Sequence, residues 1–145
     1  MKFKNTIITL FFLGFTFAYA ESAWKTDFKA ALAEAKAQKK VILVNFTGSD
    51  WCGWCIKLEK EVFSQDAFQQ FTENELILVE IDFPRKKSQS EALKAQNEAL
   101  ADKYGIRGFP TILLLSNEGE LIGKTGYKSG GPDTYVTHLE ELMGK

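Results

Sequence analysis

The sequence predicts an α/β fold in which a mixed central sheet is flanked by helices on both faces. The chain has 145 residues, of which 45% are hydrophobic and 26% charged, as in one ordinary globular domain. Short apolar runs alternate along it with segments of helical spacing, which is typical of strands that alternate with helices. Near the end, two short runs are separated by a turn, so we expect the last two strands to be antiparallel.

Residues 1–20 have the order of a secretory signal, which is a charged start, an apolar middle and a small-x-small end. Lys2 and Lys4 precede an apolar stretch of 11 residues, and Ala18-Tyr19-Ala20 follows it. A helix of that length spans about 16 Å, against about 30 Å of membrane hydrocarbon. We expect cleavage after Ala20, which leaves a domain over 21–145; an uncleaved anchor that uses the flanking residues is the alternative.

Helical spacing and apolar runs predict the first elements. A first helix is expected from Trp24 to the lysine pair at 39–40, because apolar residues recur there at helical spacing. The run 41–46 is too short for a helix and predicts a buried strand. A helix follows the cysteines up to a break near Ser64, and a short helical turn is expected through Phe68 and Phe71.

The second half of the chain alternates in the same way. Residues 76–82 predict a strand, 84–90 a polar linker, and 91–104 a helix that Gly105 ends. Strands are expected at 111–115 and 120–125, joined by the turn at 117–119. Pro132 opens a final helix, since proline favours the first helical turn.

The two cysteines, Cys52 and Cys55, are two residues apart. A bridge between them closes a very small loop, which stabilises a fold little. Tetrahedral zinc needs further ligands, and His138 is the one histidine, so we expect no metal. The pair stands where a strand passes into a helix, where free N–H groups stabilise an anion. Cys52 is therefore the expected nucleophile and Cys55 the more buried, resolving thiol; two unreactive core cysteines are the alternative.

Three separated motifs resemble the thioredoxin superfamily in their usual order. They are Val-Ile-Leu-Val-Asn-Phe at 41–46, Trp-Cys-Gly-Trp-Cys at 51–55 and Lys-Tyr-Gly-Ile-Arg-Gly-Phe-Pro-Thr at 103–111. The resemblance covers roughly residues 24–142 and is nearest to the small exported thioredoxin-like proteins of bacteria. It implies a thioredoxin-like fold and a protein thiol–disulfide oxidoreductase that needs no cofactor besides its own dithiol.

The resemblance also implies roles for residues around the cysteines. Pro110 is expected to be a cis-proline whose loop faces the active site, and the Phe109 backbone to pair with an extended substrate segment. Trp51, Trp54 and Phe109 are expected to form an apolar rim around Cys52 that binds peptide. Core packing is the alternative, and it is expected for part of Trp51 but not for Trp54.

The chain departs from the thioredoxin pattern at several positions. Trp54 stands where thioredoxins usually have proline, which leaves the redox direction open. Asn45 lies near the position of a buried aspartate that aids proton transfer, and an amide cannot perform that role. Glu80 is a candidate proton relay, with an outward-facing strand residue as the alternative. The stretch 83–90 is longer than in a minimal thioredoxin, and its role cannot be read from the sequence.

Three functions fit these observations. A reductase of exported protein disulfides, recharged by a membrane electron-transfer partner, is favoured because no histidine lies between the cysteines to stabilise a thiolate. A disulfide oxidase or isomerase and a peptide-binding, chaperone-like module are the alternatives.

The chain ends without an ER-retention tetrapeptide, so we expect a periplasmic location. After cleavage the formal charge is −3, since the signal segment carries two lysines and no acid; we expect a monomer that binds no nucleic acid, with the basic run 85–87 as a solvated loop.

Overall fold

The computed structural model describes residues 23–145. The predicted signal segment, 1–20, lies outside the described residues. Within the described part of the chain, no helix combines the length and the apolar character needed to cross a membrane.

A five-stranded mixed sheet forms the centre of the domain, in the order β1-β3-β2-β4-β5. The first three strands in this order run parallel, and β4 and β5 are antiparallel to their neighbours, so the predicted mixed sheet is confirmed. The strands are β1 (Trp24–Lys25), β2 (Val41–Thr47), β3 (Leu76–Asp82), β4 (Thr111–Leu115) and β5 (Leu121–Thr125). The helices are α1 (Phe28–Gln38), α2 (Gly53–Leu58), α3 (Asp66–Glu75), α4 (Glu91–Lys103) and α5 (Gly131–Leu142).

Helices cover both faces of the sheet, as predicted. Alternate residues of β2 point to opposite sides, because successive side chains of a strand do so. Val44 packs with α1 and α4 in one core, and Leu43 packs with α2, α3 and α5 in the other. The central strands β2 and β4 are therefore almost entirely buried, which explains their continuous apolar sequences.

The first helix starts later than the helical spacing predicted. Trp24 belongs to β1, whose backbone pairs with β3 at Leu78, so its assignment to the helix was wrong. Asp27 caps the helix instead, because its side chain accepts a hydrogen bond from the Ala30 N–H at 2.9 Å. The edge of β3 pairs with the backbone of Trp24, and the spacing of apolar residues in the sequence does not reveal this pairing.

The segment after the cysteines is more helical than predicted. Helix α2 continues as a π-helical turn over Glu59–Phe63 and ends at Ser64, where the break was expected. The short turn expected through Phe68 and Phe71 is part of the ten-residue helix α3. Phe68 is fully buried, so tertiary packing extends a helix whose polar sequence alone suggested a single turn.

Candidate active site

Cys52 and Cys55 form a disulfide at the point where β2 passes into α2. Cys52 is the residue that caps α2, and the Cys55 N–H donates to its Sγ at 3.2 Å. After reduction the same N–H is placed to stabilise a Cys52 thiolate. Both residues are buried, with 7% of Cys52 and 5% of Cys55 exposed, so burial separates the two only slightly.

Trp51 is anchored in the protein on the N-terminal side of the cysteines. Its indole N–H donates to the Phe83 carbonyl at 2.7 Å, and its backbone N–H donates to the Gly48 carbonyl at 3.2 Å. A Cβ atom on Gly48 would lie 2.5 Å from the Trp51 ring, so the ring occupies space that only glycine leaves free. Trp51 is half-buried, in agreement with the expected part in core packing.

The Phe109-Pro110 loop lies against Trp51. The peptide bond between these two residues is cis. The Phe109 ring meets the Trp51 ring edge-on at 6.0 Å and stacks on the Phe83 ring at 5.1 Å. The structure therefore brings Trp51 and Phe109 together, as the resemblance implies, and adds Phe83. We call these three residues the anchored flank.

Trp54 lies on α2, between the two cysteines in the sequence, and is 57% exposed. Its ring contacts the Tyr127 ring at 5.0 Å, and the Lys57 ammonium lies 5.1 Å from the centre of each ring. Trp54 and Tyr127 are called the exposed flank below. The ring contacts thus divide the predicted single rim into two aromatic clusters, one with Trp51 and Phe109 and one with Trp54.

Tyr127 is a site residue that sequence reasoning missed. Its hydroxyl donates to Glu61 at 2.6 Å, and the preceding residue, Gly126, passes so close to the Pro110 carbonyl that a Cβ would lie 3.1 Å from it. The Tyr135 hydroxyl holds the same segment by donating to the Gly126 carbonyl at 2.9 Å. No local motif marks Tyr127, whereas Lys57 could have been found from its i+3 spacing to Trp54 on a helix.

The 83–90 stretch is attached to the active-site motif through Asp50. The Asp50 carboxylate accepts hydrogen bonds from the backbone N–H groups of residues 85, 86 and 87, at 2.9, 2.7 and 3.0 Å. These bonds, first that from Arg85, lower the pKa of Asp50, and the Lys87 charge adds to them. The guanidinium of Arg85 lies 3.8 Å from the centre of the Trp51 ring. The loop thus borders the anchored flank.

Glu80, the candidate proton relay, is half-buried on β3 and pairs in register with Asn45 on β2. Burial raises the pKa of Glu80, and the negative charges of Asp82 and Glu59 raise it further. Asn45 is 5% exposed, and its Oδ1 has no hydrogen-bond partner among residues 23–145. Glu59, which sequence reasoning missed, stands four residues after Cys55, so that spacing could have marked it; burial also raises its pKa.

A bridged Cys-x-x-C pair that caps a helix after the central strand of this mixed sheet defines a thiol–disulfide oxidoreductase with a thioredoxin-like fold. Residues 28–141 match the family model described as "Thioredoxin-like domain". The chain belongs to that family, which confirms the predicted superfamily, fold and enzyme class.

Proteins of the same class are similar along most of the chain. It is 34% identical over 126 residues to "Disulfide bond reductase DsbH" of Chlamydia pneumoniae, covering 87% of this chain and 75% of the relative. It is 35% identical over 127 residues to "Thioredoxin-related protein DsbJ" of the same organism, but covers only 36% of that protein. A solved structure titled "DsbH Oxidoreductase" superposes with a TM-score of 0.81 at 31% identity, over 99% of this chain and 95% of the other.

Proposed function

We propose that this protein reduces disulfides of exported proteins, with Cys52 as the nucleophile and Cys55 as the resolving thiol. The observation that carries the proposal is the position of Cys52, whose Sγ caps α2 and accepts the Cys55 N–H. Similarity to a protein named as a disulfide bond reductase supports the direction.

The cycle transfers two electrons from the protein dithiol to the substrate disulfide. The Cys52 thiolate attacks one substrate sulfur, the substrate S–S bond breaks, and the other substrate sulfur leaves as a thiolate that takes up a proton. Cys55 then loses its proton and attacks Cys52 Sγ, which releases the first substrate sulfur as the second thiol. The protein ends as the Cys52–Cys55 disulfide, and a partner dithiol must reduce it before the next turn.

Substrate peptide is proposed to lie across the cysteines, between the two flanks. Trp54 offers the larger free surface, because it is 57% exposed, and the backbone of Phe109, next to Pro110, offers hydrogen-bonding groups for an extended segment. Trp51 contributes mainly by holding Phe109 in place, since the two rings are in contact. The four residues predicted to bind substrate thus have different tasks. Trp54 and the backbone at 109–110 contact the peptide, and Trp51 supports Phe109.

Glu80 is proposed to accept the proton that Cys55 loses. The raised pKa of its carboxyl makes Glu80 a stronger proton acceptor than an ordinary glutamate. Its neighbour in register, Asn45, carries a buried acceptor without a partner among the described residues, which a protonated Glu80 could satisfy. Asn45 would then orient the relay rather than act in it.

The cellular setting belongs to the same proposal. The signal-like segment 1–20 supports export to a periplasm, with cleavage after Ala20. The exported domain is proposed to be a monomer. An exported dithiol needs electrons from outside its compartment, so the partner that reduces Cys52–Cys55 is proposed to be a membrane electron-transfer protein.

The reduction potential of the Cys52/Cys55 pair tests the direction. Equilibration with glutathione or dithiothreitol buffers, followed by tryptophan fluorescence, should give a value near the roughly −270 mV of thioredoxin. A value between about −180 and −120 mV would instead identify an oxidase or isomerase.

Single serine variants test the roles of the two cysteines. Cys52→Ser should abolish exchange with a peptide disulfide, whereas Cys55→Ser should accumulate a mixed disulfide, seen by mass spectrometry as protein plus one peptide. A mixed disulfide formed through Cys55 in the Cys52→Ser variant would reverse the assignment. A double serine variant that retains full cellular function would favour the chaperone-like alternative.

A further inference from the structure

Both aromatic flanks of the disulfide carry a positive charge. The Arg85 guanidinium lies over the Trp51 ring at 3.8 Å, and the Lys57 ammonium lies 5.1 Å from the ring centres of Trp54 and Tyr127. Lys86 and Lys87 follow Arg85 in the same exposed loop. Cations thus lie against both flanks, in a chain whose net charge is −1.

Three of the acidic groups near these cations accept hydrogen bonds from other parts of the protein, and a fourth, Glu80, is half-buried. Asp50 binds the backbone of the loop, and Asp82 accepts hydrogen bonds from the backbone and the hydroxyl of Ser49. Glu61 accepts from Tyr127 and lies 3.8 Å from Lys57, which it partly neutralises. Among residues 23–145, no carboxylate forms a salt bridge with Arg85. Arg85, like its neighbours Lys86 and Lys87, thus has no ion-pair partner among residues 23–145, and its guanidinium can bind an anionic group of a partner.

Contacts to its backbone and to its side chain hold Arg85 in one position. The three N–H bonds to Asp50 hold the loop backbone, and the Trp51 ring, itself fixed by Phe83, supports the guanidinium. A fixed cation loses less side-chain entropy when it binds an anion than a cation on a free loop does.

We propose that the 85–87 loop, with Arg85 on the ring of Trp51 directly before Cys52, selects protein segments that carry acidic residues beside their disulfide. This inference rests on the proposed function and adds the charge of the substrate. Attraction between opposite charges speeds the encounter of a flexible peptide with the site and weakens as salt screens it.

Two peptides closed by one disulfide test the proposal, one with glutamates and one with lysines next to its cysteines. Reduced protein is mixed with each peptide, and kcat/KM is followed by chromatography at about 10 mM and about 0.5 M salt. Wild-type protein should prefer the acidic peptide by about tenfold at low salt and by less than about twofold at high salt.

Arg85→Glu should abolish or reverse the preference at low salt. Lys103→Glu is the matched control, because Lys103 also lies over an aromatic ring, that of Tyr104, at 5.0 Å, outside the two flanks. The control should keep the wild-type ratio. A misfolded fraction lowers both rates equally, so the ratio reports recognition alone.

Equal rates for the two peptides with wild-type protein at low salt would overturn the inference and leave the proposed function intact. An equal loss of preference in both variants would also overturn it, because the effect would then come from net charge. Failure of wild-type protein to reduce either peptide would overturn the proposed function itself, and this inference with it.

Discussion

The two tryptophans of the active-site motif stand three residues apart and have opposite surroundings. Trp51 is half-buried, donates to Phe83 and fills the space above Gly48, whereas Trp54 is 57% exposed and contacts Tyr127 and Lys57. The anchored flank therefore contributes to the stability of the fold, and the exposed flank leaves apolar surface free for a partner. Two residues of one type and one motif perform separate tasks because Trp51 lies in the turn before α2, whereas Trp54 lies on α2 itself.

The largest effect is expected from truncation of Trp51. Trp51→Ala should lower the free energy of unfolding by about 3 kcal/mol, because it removes packed ring surface and leaves the Phe83 carbonyl without its donor. Trp54→Ala is the matched control and should change it by less than about 1 kcal/mol. Urea denaturation of the oxidised proteins measures both. Equal losses in the two variants would remove the distinction between the flanks.

Gly48→Ala should damage the anchored flank without touching its aromatic residues. The added Cβ would meet the Trp51 ring at 2.5 Å, so we expect a loss of about 1–3 kcal/mol. Gly53→Ala provides the comparison, since nothing lies within 4 Å of its added Cβ. Thermal unfolding followed by tryptophan fluorescence should show a lower Tm for the first variant only; an unchanged Tm for Gly48→Ala would mean that Trp51 moves aside freely.

Trp54→Ala should affect exchange rather than stability. Loss of the exposed ring should lower kcat/KM for a peptide disulfide by about tenfold, as expected for an aromatic residue at the centre of a contact surface. Leu121→Ala removes similarly exposed apolar surface on β5, where Leu121 is 55% exposed, and should leave the rate unchanged. Equal rates for Trp54→Ala and wild type would exclude the exposed flank from substrate binding.

Glu80→Gln should separate the effect of this carboxyl on stability from its effect on catalysis. The folded protein raises the pKa of Glu80, so the native state holds the proton more tightly than the unfolded state does. Stability is therefore lost as the pH rises from the ordinary value of 4.5 through the folded pKa. The variant cannot ionise, so its stability relative to wild type should increase from pH 4 to pH 7.

The same variant should slow the resolving step at pH 7 by roughly 10- to 100-fold if Glu80 accepts the Cys55 proton. Urea titrations at both pH values and stopped-flow exchange measure the two effects. A stability change without a rate change would make Glu80 a buried strand residue with no part in the reaction.

The smallest effect is expected from Asp50→Asn. Its carboxylate holds the 85–87 backbone, and because its pKa is lowered, this contribution is present at neutral pH and lost as the pH falls through the folded pKa. Amide hydrogen exchange at residues 85–87 should accelerate in the variant, with the rest of the domain unchanged. Asp102→Asn, a change of the same kind on α4, should leave these amides as they are in wild type.

Much of the fold followed from local patterns. The strand at 41–46, the strand at 76–82 and the helix after Pro132 were predicted because their apolar spacing and turn residues act within a few residues of chain. Trp24 was assigned wrongly, because its backbone partner, Leu78, lies far away along the sequence. The cysteine pair was predicted for the same local reason as the strands, since a Cys-x-x-C motif between strand and helix is complete within one short segment.

What only the tertiary structure decided is how distant segments meet around that motif. The sequence by itself determined the α/β class, the dithiol and the aromatic residues beside it. It predicted core packing for part of Trp51 and not for Trp54, but it could not identify their partners, because Phe83, Gly48 and Tyr127 reach the site through different strands and loops. The physical reason is that the spacing of apolar residues determines which face of a helix or strand is apolar. Which residues that face contacts depends on how the elements pack in three dimensions.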